Sequence, residues 1–200
     1  MPDTRPLRAD ARRNREAVLE AARTAFAADG LSVPLDEIAR RAGVGPGTLY
    51  RHFPTKEALI EAVVHDRVRR LAAEGAALQD SPDPAAAFFG FVGRLAAEAG
   101  PKRDLFDALA SAGVEVGPAV KTTAEDLLAQ ITGLLDRAQR AGAVRADLGR
   151  AELAAVLAGL LYALRPRPGG DPAIVLSVFR DGLRPSARLP LADSADNSGL

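Results

Sequence analysis

Apolar residues recur at helical spacing along most of the chain. A first helix is predicted from about residue 10 to 28, and Gly30 ends it as a C-terminal glycine commonly does. Its apolar face comprises Val18, Leu19, Ala22, Ala25 and Phe26. Nowhere do β-branched and aromatic residues alternate over the length of a strand. The pattern therefore predicts an all-α fold.

Prolines and glycines divide the remainder into further helices. Two short helices are predicted at about 34–41 and 46–52, with Gly43 between them, and a long one at about 56–78. Residues 80–84, with the sequence DSPDP, are the best candidate linker. Beyond this linker the pattern predicts five more helices, at about 84–99, 102–112, 118–141, 150–164 and 171–183. The chain is thus expected to contain about nine helices.

The three predicted helices before residue 56 have the features of a helix-turn-helix unit. The turn needs a residue that bends freely, which the segment Ala42-Gly43-Val44 supplies. Ile38 and small Ala39 face inward on the helix before the turn, so the two helices can approach closely. Leu49 and Phe53, four residues apart, anchor the helix after it. Such a unit places its second helix in the major groove of DNA.

Three stretches of this unit carry a family pattern. They are REAVLEAA at 15–22, LDEIARRAGV at 35–44 and GPGTLYRHFPTKEAL at 45–59. Together they resemble the DNA-binding domain of the TetR family of transcriptional regulators, without a gap over about residues 12–60. Family members usually carry Ser or Thr at the start of the second helix, where this chain has Val33-Pro34. Proline cannot donate a hydrogen bond there, so helix amides or Ser32 would have to supply that phosphate contact.

The resemblance also implies which residues contact DNA. Arg51 is expected to reach a guanine edge, with a phosphate contact or a solvated side chain as the alternative. Tyr50 and His52 are expected on phosphates, or else packed, and Lys56 is expected to clamp a phosphate at a helix start. Two arginines ahead of the matched stretch either reach the backbone or minor groove or form a disordered arm. The predicted DNA-contact set is Arg12, Arg13, Leu35, Pro46, Gly47, Thr48, Tyr50, Arg51, His52 and Lys56.

The C-terminal part is implied by the resemblance to carry a dimer interface and, usually, a ligand cavity. Two apolar stripes near the chain end form either a bundle between subunits or an intramolecular core. The predicted interface is Leu153, Val156, Leu157, Leu160, Leu161, Leu164, Ile174, Val175, Val178 and Phe179. Few polar residues accompany the candidate cavity lining, which favours an apolar or aromatic effector, although a residue of this kind is more often plain core. That lining is Phe88, Phe89, Phe91, Phe106, Leu109, Leu128 and Tyr162.

Composition narrows the classes of function. The chain has no cysteine, which excludes disulfides and thiolate sites, and no metal or cofactor is predicted. His52 and His65 lie thirteen residues apart, which is not a helical ligand spacing, and no phosphate-binding loop or nucleophile elbow occurs. No apolar run reaches 18 residues and no apolar leader follows Met1, so a cytoplasmic, nucleoid-associated protein is expected. Residues 66–74 are expected to place Arg67, Arg69 and Arg70 on a solvated face, paired with Asp66 and Glu74.

Charge is balanced overall but unevenly spread. Residues 1–70 hold thirteen Lys and Arg against ten Asp and Glu, and the remainder holds thirteen against sixteen. A basic N-terminal part indicates a polyanion partner, although a solvated charged face gives the same pattern.

These observations predict a two-domain DNA-binding regulator, most specifically a ligand-released repressor that binds a palindromic operator as a homodimer. Residues 10–56 are expected to form the helix-turn-helix domain with 56–78 as its connector, 82–184 the effector and dimerisation domain, and 185–200 a disordered tail. The alternatives are an architectural DNA-binding protein without an effector, which would need no cavity, and a small helical enzyme, for which no motif is present.

Overall fold

A computed structural model describes residues 5–99, 117–164 and 170–185, and within these ranges the chain contains helices and no strand. The helices are α1 (Arg5–Asp29), α2 (Leu35–Arg41), α3 (Pro46–His52), α4 (Lys56–Ala77), α5 (Pro84–Ala99), α6 (Pro118–Arg140), α7 (Arg150–Ala163) and α8 (Pro172–Gly182). The all-α prediction is confirmed. The predicted helix at 102–112 and residues 186–200 of the predicted tail lie outside the described residues. The first helix begins five residues earlier than predicted, because proline at position 6 is tolerated in a first helical turn.

The first four helices surround one apolar cluster, which we call the head core. Its fully buried members include Val18 and Ala22 of α1, Ile38 of α2, Leu49 of α3 and Leu59 of α4. Helices α2 and α3 have seven residues each, fewer than the roughly 12–15 that an isolated helix needs to be stable in water. Burial in the head core therefore holds both short helices in place.

The last four helices surround a second cluster, the C-terminal core. Its fully buried side chains include Phe88 of α5, Leu134 and Leu135 of α6, and Leu153 of α7. The loop after α6 closes this core: Gly142 adopts a φ of 71°, and the Arg145 amide donates to the Leu183 carbonyl at 2.9 Å.

Helices α4 and α6 run side by side in the same direction and join the two cores. Near the end of α4 a Cβ built on Gly75 would lie 2.9 Å from Gln130 Cβ, so glycine permits close packing there. The Arg137 guanidinium of α6 donates to the carbonyls of Leu78 at 3.1 Å and Ser81 at 2.5 Å. The end of α4 is thus fixed to α6. None of the helices described here is long and apolar enough to cross a bilayer.

Candidate nucleic-acid interface

The turn between α2 and α3 is built from backbone hydrogen bonds around one glycine. Gly43 adopts a φ of 68°, in the left-handed region that favours glycine. Its amide donates to the Arg40 carbonyl at 3.2 Å, and the Val44 amide donates to the Ala39 carbonyl at 3.1 Å. This is the tight turn that a helix-turn-helix requires, and it sets the angle of α3 against α2.

Helix α3 has one buried anchor and an open face. Leu49 is fully buried, and Phe53, directly after the helix, is 2% exposed. The Arg15 guanidinium of α1 lies 5.3 Å from the centroid of the Phe53 ring, a cation–π contact that secures the helix end. A Cβ built on Gly47 would meet no atom within 4 Å, so packing inside the chain does not require glycine at that position. The open face can therefore lie close to another molecule.

The cations of the first four helices divide into paired and unpaired groups. Arg12 lies 3.9 Å from Glu16, and Arg13 pairs with Asp10, each within its own helix. By contrast, Arg51 and Lys56 form no ion pair or hydrogen bond with any side chain that the structure describes. Their positive charge is therefore free for an external anion.

Glu37 neutralises two further arginines beside α3. Its carboxylate accepts from Arg40 through Nε and Nη2, both at 2.7 Å, and from Arg41 Nε at 2.8 Å. Arg41 also donates to Asp29 at 2.6 Å, which ties α2 to the end of α1. The hydrogen bonds from Arg40 and then Arg41 lower the pKa of Glu37 to about 2. These guanidiniums are committed within the chain.

The Glu37 contacts give a prediction about pH. We expect Glu37→Gln to lower the melting temperature by a constant amount above about pH 5, where the carboxylate is ionised in both folded and unfolded chains. Because the folded-state pKa is lowered, this advantage is lost as the pH falls toward 2 and both states become protonated. Thermal unfolding of both proteins from pH 7 to 2 tests this, with exposed Glu125→Gln as the control. A difference that is unchanged at pH 2 would contradict it.

The structure places the other predicted DNA contacts in different environments. Tyr50 is 44% exposed on α3, and the nearby charge of Asp36 raises the pKa of its phenol, so the hydroxyl stays protonated. His52 is half-buried, with its ring centroid 6.3 Å from that of Phe53. Leu35 packs its side chain against the head core. It is the first residue of α2, and its contact with DNA stays a prediction.

The residues of the predicted dimer interface differ in how deeply their own chain buries them. Four of its leucines are buried in the C-terminal core of their own chain, and their contact with a partner stays a prediction: Leu153, Leu157, Leu160 and Leu164. Leu161 is half-buried, and Val175 and Phe179 are half-buried against the same core. Val156, Ile174 and Val178 are 38%, 61% and 66% exposed. These three remain candidates for an interface.

The predicted cavity lining is also revised. Tyr162 is 57% exposed, so it belongs to the outer face of α7 and does not line an interior cavity. Phe88 and Phe91 are buried in the C-terminal core, and Phe89 packs edge-on against Phe88 with 5.2 Å between ring centroids. Leu128 is half-buried. Phe106 and Leu109 lie outside the described residues, and the cavity itself stays a prediction.

The arginines of α4 lie partly as expected. Arg69 and Arg70 pair with Asp66 at 2.9 and 3.0 Å. Arg67 differs from the prediction, because its side chain is 14% exposed and pairs across to Glu98 of α5 at 3.5 Å. Burial lowers the pKa of Arg67. Glu74 pairs with Arg94 of α5 at 3.2 Å and not with a neighbour on α4.

Comparison with known proteins identifies similar chains over both cores. Residues 18–63 match the family described as bacterial regulatory proteins, tetR family, and residues 83–185 match the family described as transcriptional regulator SbtR-like, C-terminal domain. The HTH-type transcriptional regulator UidR of Escherichia coli K12 is 40% identical over 68 residues, which are 33% of this chain and 35% of UidR. The match thus spans about a third of the length of that curated relative.

Two solved structures are similar over most of their length. A TetR transcription regulatory protein from Mycobacterium vanbaalenii is 46% identical, with a TM-score of 0.71, over 90% of this chain and 99% of the other. A TetR transcriptional regulator from Streptomyces coelicolor is 37% identical, with a TM-score of 0.69, over 86% of this chain and 99% of the other.

Proposed function

Because this chain belongs to the TetR family of bacterial transcriptional regulators, we propose that it is a repressor that binds a palindromic operator as a homodimer and is released by a small molecule. Membership makes it a DNA-binding regulator with a helix-turn-helix domain and not an enzyme. The observation that carries the proposal is the open face of α3, where Arg51 is exposed and without a carboxylate partner among the described residues.

The two unpaired cations are suited to different contacts. Arg51 lies near the end of α3 on the face away from Leu49, and a guanidinium can donate to O6 and N7 of guanine in the major groove. Lys56 is the first residue of α4, whose N-terminal amides and helix dipole favour an anion. We assign Arg51 to a base and Lys56 to a phosphate. Arg12 and Arg13 are exposed, and phosphate would have to compete with the carboxylates beside them.

This assignment gives a prediction about specificity. We expect Arg51→Ala to lower affinity for the operator by about 1–3 kcal/mol more than for a scrambled duplex, because a base contact discriminates between sequences. Lys56→Ala should weaken binding to both duplexes about equally and reduce the salt slope by about one unit. Equilibrium binding to both duplexes over a salt series measures the two effects.

The matched control is Lys121→Ala, which removes one exposed cation from α6, far along the chain from α3. It should leave both affinities within about twofold of the wild type. Equal losses on both duplexes for Arg51→Ala would exclude Arg51 as a base contact. If the wild type itself binds operator and scrambled duplex alike, the protein is architectural and the proposed repressor function is wrong.

The homodimer proposal is supported by an exposed apolar face on α7 and α8. Val156, Tyr162, Ile174 and Val178 are all at least 38% exposed, and the two helices pack against each other. The α7 surface beside Tyr162 is formed by small exposed residues, Ala155, Ala158 and Gly159, which would let a second helix approach closely. A second copy of the chain would bury this face and place two α3 helices about 34–36 Å apart, one turn of DNA.

We further propose that the effector is a small apolar or aromatic molecule bound in the C-terminal domain. The support is the aromatic cluster of Phe88, Phe89 and Phe91 and the small-molecule effectors of related regulators. A ligand that releases DNA must bind more tightly to the conformation that does not dock on the operator. By reciprocity, bound DNA must lower the affinity for that ligand by the same factor. A hydrophobic metabolite that raises the melting temperature without lowering operator affinity would contradict this role.

A further inference from the structure

The start of α6 lacks the capping group that the start of α7 has. Gly149 precedes α7, and its amide donates to the side chain of Glu152, the third residue of that helix, at 3.1 Å. Such a glutamate satisfies an amide that the helix itself leaves unpaired. Gly117 precedes α6, but the third residue of that helix is Val120, which is buried in the head core. Helix α6 therefore cannot supply this bond from its own third residue.

Glu61 of α4 supplies the missing bond from another helix. The Gly117 amide donates to Glu61 Oε1 at 3.1 Å, the same distance as in the α7 pair. The carboxylate also lies at the positive end of the α6 dipole, which favours a negative charge there. Glu61 is half-buried in the second turn of α4, a few residues after α3. The residue that caps α6 thus belongs to α4, the helix that directly follows helices α1 to α3. We call these three helices the head.

A side chain at position 117 would disturb this contact. A Cβ built on Gly117 would clash with Glu61 Oε1, and the three atoms nearest to that Cβ all belong to the Glu61 carboxylate. The φ of Gly117 is −62°, which any residue can adopt. An alanine at 117 would therefore displace the Glu61 carboxylate without straining the backbone.

A second contact lies further along both helices, about one turn on in α4 and nearly two turns on in α6. His65 Nε2 is 3.1 Å from Thr123 Oγ1, and the Thr123 hydroxyl donates its proton to the Ala119 carbonyl at 2.9 Å. The Thr123 side chain thus joins His65 of α4 to the first turn of α6. Between these polar contacts Val120 is 2% exposed in the head core. The first two turns of α6 are fixed to α4 on both polar and apolar sides.

We infer that Glu61 is a positioning residue for operator binding, and that through Gly117 it sets the orientation of the head relative to the domain that carries the α7–α8 face. This inference rests on the proposed homodimer. Only three residues separate the end of α3 from the start of α4, so the direction of α4 decides where α3 points. Two heads must engage one DNA turn apart at the same time, whereas a single half-site needs only one head. Loss of the Glu61 bond therefore weakens simultaneous docking and leaves the contact of each α3 with DNA unchanged.

The test compares two duplexes: an inverted-repeat operator selected by the wild-type protein from random DNA, and a duplex with one half-site. Glu61→Ala is expected to lose about tenfold or more in affinity for the inverted repeat, and less than about twofold for the half-site. Glu61→Gln keeps an acceptor oxygen and should recover most of the loss. Glu125→Ala removes a carboxylate from the exposed face of α6 and is the charge-matched control. An equal loss on both duplexes, or no loss, overturns the inference.

A double mutant separates this contact from other effects of the substitutions. Gly117→Ala alone should reproduce the loss seen with Glu61→Ala. Gly117→Ala added to Glu61→Ala should have no further effect, because the clashing carboxylate has gone. A further loss in the double mutant would show that Gly117 acts through α6 itself, and would overturn the role of Glu61.

A distance measurement in the absence of DNA tests the inference independently of any other effect of the substitutions on DNA binding. The chain has no cysteine, so Ala27→Cys on the exposed side of α1 gives one spin-label site per chain. Pulsed electron resonance should show a narrow distance distribution between the two labels of the dimer, and a broader or shifted one with Glu61→Ala at unchanged helical circular dichroism. An unchanged distribution overturns the inference. Absence of any distance between labels in the wild type would instead show that the proposed dimer is wrong.

Discussion

Replacing Val178 with glutamate is expected to give a helical monomer that binds its operator about 100-fold or more weakly. Val178 is 66% exposed within its own chain, so the glutamate is solvated in the monomer and does not disturb the core. In the proposed dimer the same carboxylate would lie against an apolar face without a partner. Burying an unpaired charge costs several kcal/mol, enough to dissociate an interface of moderate affinity.

Sedimentation and far-ultraviolet circular dichroism measure assembly and folding separately. Ala129→Glu, on the exposed side of α6, is the matched control and should remain dimeric. Leu160→Glu provides a contrast: Leu160 is 5% exposed in the C-terminal core, so that charge should unfold the domain as well as dissociate it. A Val178→Glu protein that remains dimeric and binds the operator normally would place the interface elsewhere.

The contrast between Val178 and Leu160 shows why the sequence separated exposed from buried apolar residues only in part. Helix α7 carries leucine, valine and alanine on nearly all sides, so apolar periodicity does not distinguish the face toward the protein's own core from a face toward a partner. Helix α8 is more one-sided, yet its inner and outer apolar residues, such as Phe179 and Val178, are adjacent in sequence. Only the packing of α7 against α5 and α6 decides which residues remain outside.

The helix-turn-helix could be predicted closely because its determinants are local. Proline at position 46 and glycine at position 43 mark the ends of short helices, and the predicted bounds of α3 match the structure. Contacts between distant segments could not be predicted in this way. Glu61 and Gly117 are 56 residues apart, and a glutamate on a helix has the same local pattern whether it is solvated or caps another helix. The pairing of Arg67 with Glu98 could not be predicted either, because the local pattern around Arg67 is the same as that of its neighbours Arg69 and Arg70.

Replacing Leu49 with alanine is expected to abolish operator binding and to lower the free energy of unfolding by about 2–5 kcal/mol, the usual cost of this change in a core. Leu49 is the one buried residue of α3, so it anchors the inner side of a helix too short to be stable by itself. Urea unfolding should show a lower midpoint for Leu49→Ala, a loss below about 1.5 kcal/mol for Leu49→Met, which conserves volume, and no comparable change for Thr48→Ala.

This result would differ from that of Arg51→Ala in a way that separates two causes of lost binding. Arg51 is exposed, so its removal should leave the unfolding midpoint near that of the wild type while operator preference falls. Leu49→Ala should lower affinity for operator and scrambled duplex together, because α3 itself is displaced and its phosphate contacts go with its base contacts. If Leu49→Ala kept the wild-type midpoint, or lost the operator while keeping normal affinity for scrambled DNA, burial of Leu49 could not be what holds α3 in place. The effects of the two variants on stability and on specificity therefore test two roles. Leu49 would position α3 from the inside, and Arg51 would contact the bases from the outside.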